Sequence, residues 1–142
     1  MRQEETFDYH IKWAWHKISK FYNQEALKHD FTMSAGYVLL NIDSKEGTPA
    51  TSLGPKMGME PRSLSRILNS MQEKGLIERK PDLIDKRINR VYLTELGKTK
   101  RSISRNTVLT LNEKLHQQFS KTKLNAFFEV METIKQQDLN TL

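Results

Sequence analysis

Residues 51–94 are punctuated in a way that leaves few folds open. Gly58 ends a short run, Pro61 opens a second, Gly75 closes that one, and two short alternating stretches follow across a polar bend. Proline suits the first turn of a helix, where its missing N–H would have no partner. Glycine just past a helix readily takes the left-handed conformation that ends it. The spacing predicts a short helix over about 51–57 and a second from 61 to about 74. The second buries Leu64, Ile67, Leu68 and Met71, at steps of three and four. Residues 76–80 then read as a strand, 81–86 as a polar turn and 88–94 as a second strand, with Val91 and Leu93 on one side and Arg90 and Tyr92 on the other. Two short strands across such a bend make a β-hairpin. Helix, tight turn, helix and hairpin in that order predict a winged helix-turn-helix.

The flanks are helical. Phe7, Ile11, Ala14, Ile18 and Tyr22 line one face of a helix over 7–28, widened by Trp15 and Phe21, while Trp13 lies away from it. Thr32 or Ser34 caps a helix carrying Tyr37–Leu40, which Gly47-Thr48-Pro49 breaks. A long helix runs from Thr94 or Glu95 to about Phe119. A last one starts at Ser120 or Thr122 with the stripe Leu124, Phe127, Phe128, Met131 and Ile134. The expected fold is mostly α with a small β-hairpin wing, in a single domain over 1–142. Within it, 32–98 forms the winged helix-turn-helix, and 1–30 and 100–142 form flanking dimerisation helices.

Charge is distributed unevenly along the chain. Residues 56–101 hold twelve Lys or Arg against six Asp or Glu, whereas the rest of the chain holds eleven of each. The whole net charge of +6 therefore sits in the middle third, as in a module that docks on phosphate. Only 37% of residues are hydrophobic, with a mean hydropathy of −0.67. Two amphipathic flanks are hard to bury in so lean a chain, so Phe7, Ile11, Trp15, Phe127, Phe128, Met131 and Ile134 are the candidate faces of a homodimer. No apolar run approaches the ~20 residues of a membrane span, and the first residues lack a signal-peptide pattern, which points to the cytoplasm. With no cysteine, disulfides and thiolate metal sites are excluded.

The second helix of the motif presents Arg62, Ser63, Ser65, Arg66, Asn69 and Ser70 on its polar side. Arg can bond guanine O6 and N7 together, and Asn can bond adenine N6 and N7, when such a helix lies in a major groove. The hairpin tip adds Lys86, Arg87 and Arg90 for the adjacent narrow groove. Asp85, two residues before Arg87, is positioned to salt-bridge a nearby Arg and set its direction. The stretch Asp85-Lys86-Arg87-Ile88-Asn89-Arg90-Val91-Tyr92-Leu93-Thr94-Glu95-Leu96-Gly97 resembles the wing signature of the MarR family, D-x-R-x-x-x-V-x-L-T-x-x-G, at every fixed position. Residues 61–66 and 71–79 resemble that family's recognition helix and first wing strand. Met71 stands in place of the usual Leu, and Ser63 where Thr is frequent.

The resemblance implies a homodimeric transcriptional regulator on a pseudo-palindromic duplex, most often a repressor, whose N- and C-terminal helices intertwine. It also implies a small aromatic or anionic effector between the dimerisation and DNA-binding regions; His10, Trp13, His16, Tyr37 and Arg105 are the candidates to line that pocket. His10 and His16 are six residues apart and share no helix face well, so no metal is expected, nor any cofactor. The chain has no glycine-rich phosphate loop, no HExxH and no Gly-x-Ser-x-Gly elbow, so an enzyme is not expected. A winged-helix module that binds protein or RNA is the alternative.

Overall fold

The helix at the centre of the motif forms because its sequence separates so cleanly into two faces. In a computed structural model describing residues 1–142, Pro61–Glu73 is helical, with Pro61 in its first turn and Leu64, Leu68 and Met71 buried. Besides a short 3-10 turn over Gln3–Glu5, seven further helices and strands share the region before Thr107 with it. They are α1 (Phe7–Leu27), α2 (Met33–Asn41), β1 (Thr48–Pro49), α3 (Ala50–Met57), β2 (Ile77–Pro81), β3 (Asn89–Leu93) and the first part of α5 (Glu95–His116); the central helix is α4 and Lys121–Gln136 is α6. Thr32 caps α2, its hydroxyl accepting from Ala35 N at 3.1 Å. Gly58 and Gly75 sit at φ +62° and +74°, ending α3 and α4.

The hairpin is one sheet edge richer than expected. Thr48 and Pro49 form a two-residue strand rather than a plain helix breaker, and the sheet order is β1-β3-β2, all antiparallel. The registers pair Thr48 with Val91, Arg79 with Val91 and Ile77 with Leu93. The strands run one residue later than the alternation predicts at the start of β2, and α5 stops three residues short of Phe119.

Two compact units can be distinguished, Met1–Thr107 and Val108–Leu142. The first holds the core: Val38, Leu39, Leu53, Met71, Ile77 and Val91 are fully buried, with Leu64, Leu68 and Leu76 around them. The wing signature has a structural reason here. Thr94 Oγ1 donates to Gly75 O at 2.6 Å and accepts from Gly97 N at 3.0 Å, so one hydroxyl ties the end of α4 to the start of α5. A Cβ added at Gly97 would overlap the Leu76 carbonyl oxygen, so only glycine lets α5 start against that strand.

The second unit is a helical hairpin without a core. Ser120 caps α6 through Lys123 N, yet no residue of α6 is buried; Phe127 and Phe128 are exposed, and Met131 and Ile134 half-buried. In the first unit, α1 buries only Ala26, leaving Phe7, Ile11, Trp13 and Trp15 exposed.

Candidate nucleic-acid interface

The exposed side of α4 follows directly from its buried side. Because Leu64, Leu68 and Met71 face the core, Arg62, Ser63, Ser65, Arg66 and Asn69 face solvent, with Ser70 half-buried at the edge. Arg62 and Arg66 make no ion pair within the chain, so their guanidinium groups are free to meet an external anion. Asn69 is different. Its Oδ1 accepts from Arg79 Nη2 at 2.7 Å, and Arg79 Nε donates to Gln72 Oε1 at 2.6 Å. Arg79, on β2, thus clips α4 to the sheet through the Asn69 oxygen, while Asn69 itself remains exposed. The link joins residues ten apart, and local pattern gave no sign of it.

The wing tip is held by two aspartates. Asp85 receives Arg87 Nε on Oδ1 and Nη2 on Oδ2, both at 3.0 Å, and also accepts from Arg87 N at 3.1 Å. These donors, the side chain first, keep the Asp85 carboxyl below the usual carboxylate range. Arg87 remains 91% exposed, so the pair aims the guanidinium without hiding it. Asp82 Oδ2 accepts from Asp85 N at 2.9 Å and Ile84 N at 3.0 Å, and its Oδ1 receives Arg90 Nε at 2.8 Å. The backbone N–H of Asp85, then Arg90, hold the Asp82 carboxyl low as well.

Arg90 is the clear departure from expectation. Grouped by sequence with Lys86 and Arg87 as a groove contact, it turns inward instead. Beyond Asp82, its Nη1 donates to the carbonyls of Gly47 at 3.3 Å and Glu46 at 3.4 Å. Pairing of β1 with β3 brings the loop before Thr48 alongside Arg90, so its charge is spent on bracing the wing. Lys86 is exposed and unpaired. Lys80 pairs with Glu78 at 3.2 Å and lies 5.9 Å over the Tyr92 ring.

The residues expected to line an effector pocket are scattered. Tyr37 borders a cleft of about 410 Å³ together with Trp15, Met33, Asn41, Lys56 and Met57. Burial, and then Tyr22 nearby, push the Tyr37 hydroxyl pKa up. His10 lies outside it, its Nε2 bonded to Glu4 O at 2.7 Å. Trp13 and His16 stack edge to face at 5.6 Å on exposed α1, and Arg105 is exposed on α5. Trp15, expected at a dimer face, is the aromatic side chain that joins Tyr37 here, with ring centroids 6.2 Å apart.

A helix-turn-helix with a free basic face, followed by a braced hairpin with an aimed arginine, defines the class: a winged helix-turn-helix protein. The comparisons agree. The model of the MarR family matches residues 31–88. The HTH-type transcriptional regulator SarZ of Staphylococcus haemolyticus is 28% identical over 81 residues, 57% of this chain; the match spans only about half, 55%, of that curated relative's length. A Staphylococcus aureus MepR–DNA complex superposes with a TM-score of 0.84 at 19% identity, covering 96% of this chain and 98% of that one. Rhodococcus jostii CouR bound to p-coumaroyl-CoA superposes with a TM-score of 0.80 at 17% identity, covering 94% of each chain. The winged-helix region, residues 31–88, is therefore similar to the MarR family, and the whole chain shares the fold of these solved regulators. No helix is long and apolar enough to cross a membrane.

Proposed function

We propose that this chain is a transcriptional regulator that binds double-stranded DNA sequence-specifically, as a homodimer on a pseudo-palindromic operator, and that it acts in the cytoplasm as a ligand-responsive repressor. The observation that carries this is the pairing of two adjacent surfaces of one sign. Arg62, Ser63, Ser65 and Arg66 lie free on α4, and Arg87 with Lys86 stands exposed on the wing that follows it. A helix about that wide enters the major groove with side chains at base edges, while a wing arginine enters the neighbouring minor groove, where the negative potential is concentrated.

The dimer is supported by what the monomer leaves uncovered. Phe7, Ile11 and Trp15 on α1, and Phe127, Phe128, Met131 and Ile134 on α6, are exposed or half-buried, and α6 buries nothing at all. A helix pair this short of internal contacts draws its stability from packing against something else. Dimerisation through these faces would set two copies of α4 about one helical turn of DNA apart, ~10 base pairs.

The cleft beside Tyr37 supports ligand control. CouR is a relative in fold that has been solved with p-coumaroyl-CoA bound. In this chain the cleft joins Trp15 of α1 to Lys56 and Met57 of α3, the first helix of the DNA-reading pair. An aromatic anion seated between them would gain ring contacts and the Lys56 charge. By wedging α1 from α3 it would alter the separation of the two recognition helices, which is the coupling a ligand switch needs.

Selection of bound duplexes from a random pool, with and without aromatic carboxylates, tests the proposal. The expected result is an inverted repeat with centres ~10 base pairs apart, weakened by at least one ligand. Recovery of no common sequence, or stronger retention of single-stranded RNA than of duplex DNA, would replace it with the RNA-binding alternative.

A further inference from the structure

The apex of the wing carries two side chains that a solvated turn does not need. Leu83 is 90% and Ile84 97% exposed; of the large hydrophobic residues only Met1 is more so. Turns at such positions are ordinarily built from polar residues, whose side chains lose nothing to water. The apex is also braced rather than loose. Asp82 N donates to Ile88 O at 2.8 Å and Ile88 N to Asp85 O at 3.0 Å, closing the loop. Asp82 Oδ2 holds the backbone of Ile84 and Asp85, and Arg90 fastens Asp82 to the loop at Gly47. Two aliphatic side chains are thus held out at the end of a stiffened arch, with Lys86 and Arg87 on its returning limb.

We infer that Leu83 and Ile84 form an apolar wedge that enters the minor groove of duplex DNA and loosens a base step there, adding shape-dependent selection at a position no polar side chain reads. This rests on the proposed DNA-binding function. The occupant follows from the surroundings. Lys86 and the exposed, Asp85-aimed Arg87 draw the apex to a polyanion, and among polyanions duplex DNA offers apolar base faces within a groove. Minor-groove proteins insert Leu and Ile between base steps in this way. The cost of insertion is lowest at flexible pyrimidine–purine steps, so the wedge selects for them. A protein partner is disfavoured by area: a stable interface covers about 800 Å² on each side, and two side chains at the tip of a narrow hairpin supply only a small part of that.

The test compares the full chain with L83S/I84S and with R87A on duplexes selected by the parent. 2-Aminopurine is placed in turn at each base pair under the wing. Because both aliphatic side chains are exposed, L83S/I84S should unfold at the parental temperature. The parent is expected to raise 2-aminopurine fluorescence at one step outside the α4 contacts, and L83S/I84S to lose that rise and about tenfold in affinity. The salt dependence of L83S/I84S should match the parent, since no phosphate contact is removed. R87A should instead lower the salt dependence. A repeated selection with L83S/I84S should lose the pyrimidine–purine preference at the wing position. Parental affinity and an unchanged fluorescence profile for L83S/I84S would overturn the wedge while leaving DNA binding intact. Loss of self-association by L83S/I84S in sedimentation, with DNA distortion retained, would make the apex a protein contact and also overturn it. A parent that selects no duplex would bring down the DNA-binding proposal itself.

Discussion

Replacing Arg87 with Ala isolates one electrostatic contact, because the structure asks nothing else of that side chain. Its guanidinium touches only Asp85 and is 91% exposed, so the fold does not depend on it. The proposed homodimer carries two such wings. Each phosphate contact contributes about 0.9 to the slope of log affinity against log salt, so removing two should lower the slope by ~1.8. Between 50 and 200 mM salt the affinity gap between parent and variant should then shrink by about twelvefold, from that slope difference acting over a fourfold change in salt. Asp85→Ala provides the contrast. It leaves the charge of Arg87 in place but releases its direction, so the slope should hold while affinity falls at every salt concentration. Fluorescence anisotropy on a selected duplex across that salt range reads both. A slope for Arg87→Ala equal to the parent's would mean that the wing does not touch the phosphate backbone, and the two-groove reading would fail.

Gly97→Ala should destabilise the protein by ~2 kcal/mol or more: the clash is with the Leu76 backbone oxygen, which no rotamer change relieves, and it outweighs the ~1 kcal/mol that Ala gains in a helix. An unchanged urea midpoint would contradict this. Phe127→Ser with Phe128→Ser should give a monomer at micromolar concentration in sedimentation, since four phenyl rings at ~1.5 kcal/mol each amount to about 6 kcal/mol of lost burial; a persistent dimer would place the interface elsewhere. The carboxyls of Asp82 and Asp85 are held below their usual value, so their contribution to wing order is fully present above the unfolded value, ~3.9, and is lost as pH falls through the lower folded value. NMR shifts of the 82–88 amides should therefore be flat from pH 7 to about 4 and move only below it; movement between pH 5 and 7 would mean the aspartates do not hold the turn.

What the sequence made legible was whatever depends on near neighbours. Gly58, Pro61 and Gly75 marked the helix ends, because backbone conformation at a glycine or proline is a local property. The three- and four-residue spacing of Leu64, Leu68 and Met71 placed the free face of α4 for the same reason. Interactions across long stretches of chain left no such mark. Thr48-Pro49 is too short to show alternation, and its partners Val91 and Arg90 lie over forty residues away. Strand alternation put Arg90 outward beside Tyr92, which is right for the backbone but says nothing of an eight-residue reach back to Asp82. Arg79, seen only as a basic residue of the first wing strand, finds Asn69 and Gln72 because the turn at Gly75 folds β2 back along α4.

These long-range contacts change how the basic segment should be counted. Of its twelve cations, Arg79 and Arg90 hold the helix and wing in place, Arg87 is shared with Asp85, and Lys80 and Lys98 face Glu78 and Glu95. Seven others make no ion pair, and of these Arg62, Arg66 and Lys86 stand on the exposed face of α4 and at the wing tip, beside the outer edge of Arg87. The other arginines matter in a different way. A side chain already held in position gives up less rotamer freedom when it binds, and a braced wing need not be ordered by the DNA. In the proposed function Arg79 and Arg90 would thus serve specificity through geometry, by bracing α4 and the wing. In the proposed ligand switch, a displacement of α3 relative to α1 would be passed to α4 and the wing together, because these braces join them. Under the proposed function, that shared rigidity would let a small displacement at the Tyr37 cleft reach both grooves at once.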